Sequence, residues 1–198
     1  VGQKTFQRFD LEAGVRLETV ELDPSAGTDR DFTSYAASLG LILPFGEAWS
    51  LGLLADYTAR APIAEELYSN GPHLATRAFE IGNPDLDEEK ALSLSANLRY
   101  AGERWFLNTT VYYNDFSDFI YETATGEVEN ELPVFLYTQD DATFVGFDAE
   151  VRATVLEWQE GSLELSGRFD TVAGEVDVSG NDNLPRIPPT RYGLGVNA

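Results

Sequence analysis

The sequence contains no cysteine, no methionine and a single histidine, His73. Without cysteine the chain has no disulfide framework, no thiolate metal ligand and no cysteine nucleophile. It also lacks any run of about 18 apolar residues, so no transmembrane helix is predicted. Neither a methionine nor a basic segment followed by an apolar one opens the chain. We therefore expect no signal peptide, and we expect a segment or processed product of a longer protein.

Basic residues are scarce as well. Lysine and arginine number 13 against 34 aspartates and glutamates, which gives a formal net charge of −21. Nucleic acids are bound through lysine and arginine, so a nucleic-acid partner is not expected. With 43% hydrophobic and 12% aromatic residues the chain is too apolar to be disordered. The composition predicts a folded protein with an acidic surface that meets cations.

Sequence patterns of catalysis are weak. No G-x-S-x-G nucleophile motif occurs, and a Ser-His-Asp arrangement would depend on His73 alone. Pairs of acidic residues occur throughout the chain, so they do not identify a catalytic site. The sequence therefore predicts that the protein is not an enzyme.

Apolar and polar residues alternate with a period of two along most of the chain. This pattern is typical of β-strands with one apolar and one polar face, and no helix stands out. The sequence predicts an all-β fold of about eight strands, with alternating segments at residues 9–19, 35–43, 49–57, 92–100, 105–113, 145–155, 163–169 and 192–196.

The connections between these segments alternate in length. In an antiparallel up-and-down meander every second connection lies at the same end of the sheet. The pattern therefore places the short connections at one end and the long ones at the other. The short connections are residues 44–48, 101–104 and 157–161, and the long ones are 21–33, 60–90, 118–142 and 173–190.

Period two does not reveal which face is the core. A soluble eight-stranded barrel would turn its apolar face inward around a small ligand, whereas a membrane barrel would turn it toward lipid. Trp49 and Tyr57 lie eight residues apart on one strand, as do Trp105 and Tyr113. Eight tilted residues span roughly 20 Å, close to the lipid-facing band with an aromatic girdle at each rim. This spacing favours the membrane barrel, with the soluble ligand-binding module as the alternative.

Four stretches carry a family resemblance: RAPIAEELY, GPHLAT and EIGNPDLDEEK in residues 60–90, and LPRIPPTRYGLGV in residues 184–196. Together they resemble the barrel of TonB-dependent outer-membrane receptors. The GPHLAT stretch resembles the branch of these receptors that is linked to zinc uptake. Residues 1–47 agree with the family only in their alternating pattern.

The resemblance implies a barrel of about 22 strands with an N-terminal plug. Residues 1–198 would then form a partial barrel domain, a segment of a transmembrane β-barrel without the plug and the remaining strands. The implied function is import of a metal ion or siderophore-like metal chelate into the periplasm, energised by the TonB complex through the plug. The implied location is the outer membrane of a Gram-negative bacterium, in contact with membrane lipid. No resident cofactor is expected, and zinc or an iron chelate would be cargo.

Residues 60–90 also contain the candidate ligands for a metal. A neutral imidazole binds zinc readily, and carboxylates complete such sites, so His73 with Glu65, Glu66 and Glu80 forms a candidate site. We expect Gly71 and Pro72 to present His73 at the loop tip, away from the sheet. A histidine that only packs or faces solvent is the alternative. We expect the loop to be ordered at its two ends and variable at its tip.

Overall fold

The computed structural model describes residues 2–6, 8–25, 27–178 and 184–198. Within them, eleven strands belong to one sheet whose main path runs β1-β2-β3-β4-β7-β8-β9-β10-β11. Their bounds are β1 Gly2–Thr5, β2 Asp10–Leu22, β3 Arg30–Phe45, β4 Trp49–Arg60, β5 Asn70–His73, β6 Ala78–Ile81, β7 Glu89–Ala101, β8 Trp105–Glu129, β9 Leu132–Trp158, β10 Gly161–Val176 and β11 Arg191–Asn197. One short helix, α1, spans Ala64–Tyr68.

Neighbours on the main path pair antiparallel, which confirms the all-β meander. Trp49 is paired with Tyr100, and Trp105 with Ala153, so the short turns of these strands share one end of the sheet. The long connections lie at the other end, as the alternation in length predicts. Residues 179–183 of the last long connection lie outside the described residues. The strand number is higher than eight because β1, β5 and β6 are short and carry no alternating pattern.

Residues 118–142 are not a loop, and that part of the prediction was wrong. Strands β8 and β9 continue through them as a long hairpin that closes at Asn130 and Glu131. Both turn residues have positive φ, 50° and 67°, as a two-residue hairpin turn of the type favoured by strand twist requires. The sequence did not reveal these strands because their apolar residues occur in consecutive runs, 119–121 and 134–137, rather than in alternation with polar ones.

The expectation of no helix was also wrong, since α1 forms inside residues 60–90. The helix has five residues, too few to give a periodic signal in sequence. Among the described residues no helix is long and apolar enough to span a membrane.

The two faces of the sheet differ in chemistry. Large apolar side chains on one face are exposed, among them Val15, Leu17, Leu39, Leu53, Leu94, Val111, Val145, Val151, Leu165 and Leu194. Aromatic rings flank this band: Trp49 packs on Phe45 and Tyr100 near the short turns, and Tyr35 stacks on Tyr57 toward the other end. On the opposite face polar side chains bond to each other, as Asn97 does with Asn108 and Thr110. The exposed apolar face thus has the dimensions and rims of a lipid-contacting surface.

Adjacent positions on β7 provide a matched test of the two faces. Replacing Leu94, on the exposed apolar face, with arginine should destabilise the full-length protein in lipid vesicles by about 2–4 kcal/mol, the cost of a cation near the bilayer midplane. Ser93→Arg, one residue away on the polar face, should cost much less. The free energy of unfolding from denaturant titration measures both, and equal costs would contradict the assignment of the faces.

Candidate functional site

Arg60, the last residue of β4, joins the two ends of the connection between β4 and β7. Its Nη1 lies 2.9 Å from Glu66 Oε2 on α1, and its Nη2 lies 3.2 Å from Glu89 Oε2 at the start of β7. Glu66 Oε2 also accepts a hydrogen bond from the Ile63 N–H at 2.9 Å, which satisfies one of the unpaired donors at the helix start. Glu89 Oε2 in turn accepts from the Ile120 N–H of β8 at 3.0 Å. One guanidinium therefore ties the loop to two strands.

The middle of this connection is a second hairpin, β5–β6, which lies against the long β8–β9 hairpin. Strand β6 pairs in parallel with β9, from Phe79 opposite Val134 to Ile81 opposite Leu136. This contact uses residues of β9 that precede Ala142 in the sequence, where β9 is no longer paired with β10. The Gln139 side-chain amide bonds both the N–H and the C=O of Asp87, each at 2.7 Å. The connection is therefore ordered throughout most of its length, not only at its two ends.

Gly82, directly after β6, allows this hairpin to approach α1. A Cβ at Gly82 would lie 2.5–2.6 Å from backbone atoms of residues 67–69, too close for any other residue type. The Gly82 N–H donates to the Ser69 C=O at 2.7 Å, and the Asn83 N–H donates to the Glu66 C=O at 2.8 Å. These bonds satisfy carbonyls that the end of α1 would leave unpaired.

His73 and Glu80 face each other across the β5–β6 hairpin. His73 Nδ1 lies 2.7 Å from Glu80 Oε1, and the Thr76 hydroxyl donates to the same oxygen at 2.8 Å. The Glu80 side chain is 6% exposed, whereas the His73 side chain is 53% exposed. The imidazole therefore covers a buried carboxylate and leaves its own outer edge open to solvent.

A second carboxyl group lies beneath Glu80. Glu122 of β8 is the register partner of Tyr137 of β9. The Tyr137 hydroxyl lies 3.5 Å from Glu80 Oε2, and the Glu122 carboxyl is within hydrogen-bonding reach of both Glu80 and Tyr137. Arg186, in the segment before β11, places Nη2 at 2.6 Å from Glu122 Oε2. That buried oxygen nevertheless receives no well-oriented hydrogen bond from the part of the chain that the structure describes.

The two carboxyl groups have opposite pKa shifts. Burial raises the pKa of Glu122, and Glu80 adds to that shift while Arg186 opposes it. Burial acts in the same direction on Glu80, but the hydrogen bonds from His73 and Thr76 outweigh it and hold the pKa of Glu80 below its ordinary value. Burial, followed by the charges of Glu122 and Glu80, raises the pKa of Tyr137. Glu80 is therefore the member of the pair that carries the negative charge most readily.

The structure brings together only part of the set expected from sequence. His73 and Glu80 are in contact, Glu66 is held by Arg60, and Glu65 is exposed on the first turn of α1. Within the described ranges no group of three or more histidine, aspartate or glutamate side chains is arranged to hold a metal ion. His73 lies at the end of β5 beside the turn, as expected for a loop tip, but its ring is bonded to the hairpin rather than directed away from it.

Sequence reasoning missed Glu122, Tyr137 and Arg186. Glu122 and Tyr137 fall in the segment interpreted as a loop, so their position opposite each other on paired strands was not visible. Even a turn recognised at Asn130-Glu131 would have placed Gln139 opposite Glu122, because an irregularity between Ala124 and Val128 shifts the register by two residues.

The chain as a whole matches a protein-family model. The model, "TonB dependent receptor-like, beta-barrel", aligns with residues 2–197. The chain belongs to the TonB-dependent receptor family. Members of this family are outer-membrane β-barrels of Gram-negative bacteria. Membership confirms the resemblance carried by residues 60–90 and 184–196.

Solved structures of transporters share this fold. The copper transporter OprC superposes with a TM-score of 0.79 at 19% identity, over 96% of this chain and 30% of that one. The FrpB iron transporter from Neisseria meningitidis (F3-3 variant) gives 0.68 at 13%, over 98% and 29%. The siderophore receptor PirA from Pseudomonas aeruginosa gives 0.57 at 14%, over 88% and 35%. At these identities the similarity shows the fold alone, and this chain spans about a third of each solved chain.

Two glycines of the same connection test the docking of the β5–β6 hairpin. Gly82→Ala should displace the hairpin from α1, because its Cβ would collide with backbone atoms that have no freedom to move aside. Gly71→Ala is the control, since nothing lies within 4 Å of a Cβ there. Hydrogen exchange of the β6 amides should become faster in Gly82→Ala and stay unchanged in Gly71→Ala. Equal exchange in both variants would show that the hairpin does not depend on this approach.

Proposed function

We propose that this chain is part of an outer-membrane receptor that captures a metal ion or a metal chelate and imports it into the periplasm. Family membership supports import as the activity, because the family consists of transporters and receptors rather than enzymes. The observation that carries the metal assignment is the His73–Glu80 pair at the loop end of the sheet. Energy would come from the TonB complex acting through a plug domain beyond this chain.

The pair has the chemistry of an initial metal contact. A histidine nitrogen is a common zinc ligand, and the half-exposed ring lets an ion approach Nε2 from solvent while Glu80 holds Nδ1 and orients the ring. One protein ligand leaves a tetrahedral ion incomplete, so water, another loop or the chelate itself supplies the rest. Partial coordination suits capture, because a cargo that must move on is better held weakly than enclosed.

The surrounding charge supports the same role. The chain carries a net charge of −21, and such a field raises the local concentration of cations and speeds their arrival. Glu80 adds a local negative charge beneath the imidazole, because the hydrogen bonds from His73 and Thr76 hold the pKa of its carboxyl below the ordinary value.

Zinc titration tests His73 directly. In the intact receptor, His73→Ala should lower the zinc affinity by about tenfold or more, since the variant removes a ligand nitrogen. Glu65→Gln should change the affinity little, because its side chain is exposed on α1, outside the pair. Isothermal titration calorimetry measures both. Unchanged affinity in His73→Ala would exclude His73 from cargo binding and leave the loop as a scaffold.

The same titration has a pH dependence. Only the neutral imidazole binds a metal, so protons compete with the ion and zinc affinity should fall as the pH is lowered. The fall should be much smaller in His73→Ala. An affinity that is independent of pH in the parent receptor would contradict a histidine ligand.

A further inference from the structure

The segment Leu184–Pro188 forms a half-open cleft of about 360 Å³ against the long β8–β9 hairpin. Aromatic rings form much of its wall, namely Phe119, Tyr121, Tyr137 and Phe144. The segment is anchored by Leu184, which is buried beside Ala142 and Val176. The cavity is therefore a cleft between two elements with one side open to solvent.

One wall of this cavity carries a buried carboxyl group, Glu122, that the protein pairs with a single exposed cation. The Glu122 side chain lines the cavity, is 8% exposed, and has an oxygen without a well-oriented hydrogen bond from the described residues. A buried carboxylate without such partners is costly unless a cation lies beside it. The cation present is the Arg186 guanidinium, at 2.6 Å, but the Arg186 side chain is 61% exposed. A buried anion is thus matched with a cation that can move into solvent at little cost.

We propose that this cavity is a binding site for a small organic cation, whose guanidinium or ammonium group takes the place of Arg186 on Glu122 while its apolar body packs against the aromatic rings. Aromatic faces attract cations, and desolvated pairs of this kind are stronger than exposed ones. A guanidinium group suits the carboxylate because it offers donors in a fixed planar arrangement. The volume accommodates a head group with a short alkyl chain.

A bare metal ion fits this cavity less well than an organic cation. Within the described ranges no three acidic or histidine side chains are arranged as a metal site, and most of the lining is apolar. Glu80 Oε1 is already bonded to His73 and Thr76 and does not serve as a metal ligand in this cavity. The site is therefore next to the His73–Glu80 pair but uses a different carboxyl group, Glu122.

The test uses n-butylguanidinium as the probe and n-butylurea, its neutral analogue, as the matched control ligand. Isothermal titration calorimetry on the intact receptor should detect the cation and not the urea. Glu122→Gln should weaken binding by about tenfold or more, the usual loss when a charged hydrogen-bond partner is removed. Arg186→Ala should strengthen binding, because the internal competitor is gone. Glu127→Gln, an exposed position on the same hairpin, should have no effect.

Four results would overturn the proposal: equal binding of the urea, unchanged affinity in Glu122→Gln, weaker binding in Arg186→Ala, or displacement of the probe by equimolar zinc. The opposite effects expected for Glu122→Gln and Arg186→Ala separate a binding role from general unfolding, which would weaken binding in both variants. His73→Ala should leave probe binding unchanged. Failure of this proposal is therefore distinguishable from failure of the zinc site.

Discussion

The ion pairs of Arg60 with Glu66 and Glu89 are the interaction on which the upper part of the structure depends. They join the end of β4, the helix α1 and the start of β7, so the long connection leaves and re-enters the sheet at fixed points. Glu66 and Glu89 are mostly buried. Without the Arg60 guanidinium their buried charges would be uncompensated, which strongly destabilises a fold. Because the ends are fixed, the β5–β6 hairpin can reach β9 in a single register.

Below this layer, the alternating strands leave one apolar face exposed. A single sheet with one exposed apolar face is unstable in water but suited to a bilayer, where every strand pairs and aromatic rings mark both rims. Beyond this band β8 and β9 continue as a long hairpin, in which Ile120 and Val134 are buried against neighbouring segments. The buried carboxyl pair Glu80–Glu122 lies in this upper region, where neighbouring loops rather than lipid exclude water.

The sequence predicted what the period of two determines. Strand faces and the order of the meander follow from alternation and are confirmed, whereas one expected long connection, residues 118–142, consists of strands. It did not predict features that depend on contacts between distant segments. The turn at Asn130-Glu131 lacks the usual glycine, and α1 is too short for a helical period. Of the candidate site, the contact between His73 and Glu80 was anticipated, whereas Glu122 and Arg186 reach it through strand pairing and packing that no local pattern records.

The central claim is that β6 lies beside β9 in parallel register and so places Glu80 over Glu122. Cysteine crosslinking in the intact receptor tests it most directly, because this chain contributes no competing thiol. Ile81 and Leu136 are register partners, about 5 Å apart at the backbone, a spacing that a disulfide spans. Ile81→Cys with Leu136→Cys should crosslink on oxidation, whereas Asn70→Cys with Leu136→Cys, one strand further apart, should not. Absence of the first crosslink, or equal yields in both pairs, would contradict this placement of the loop.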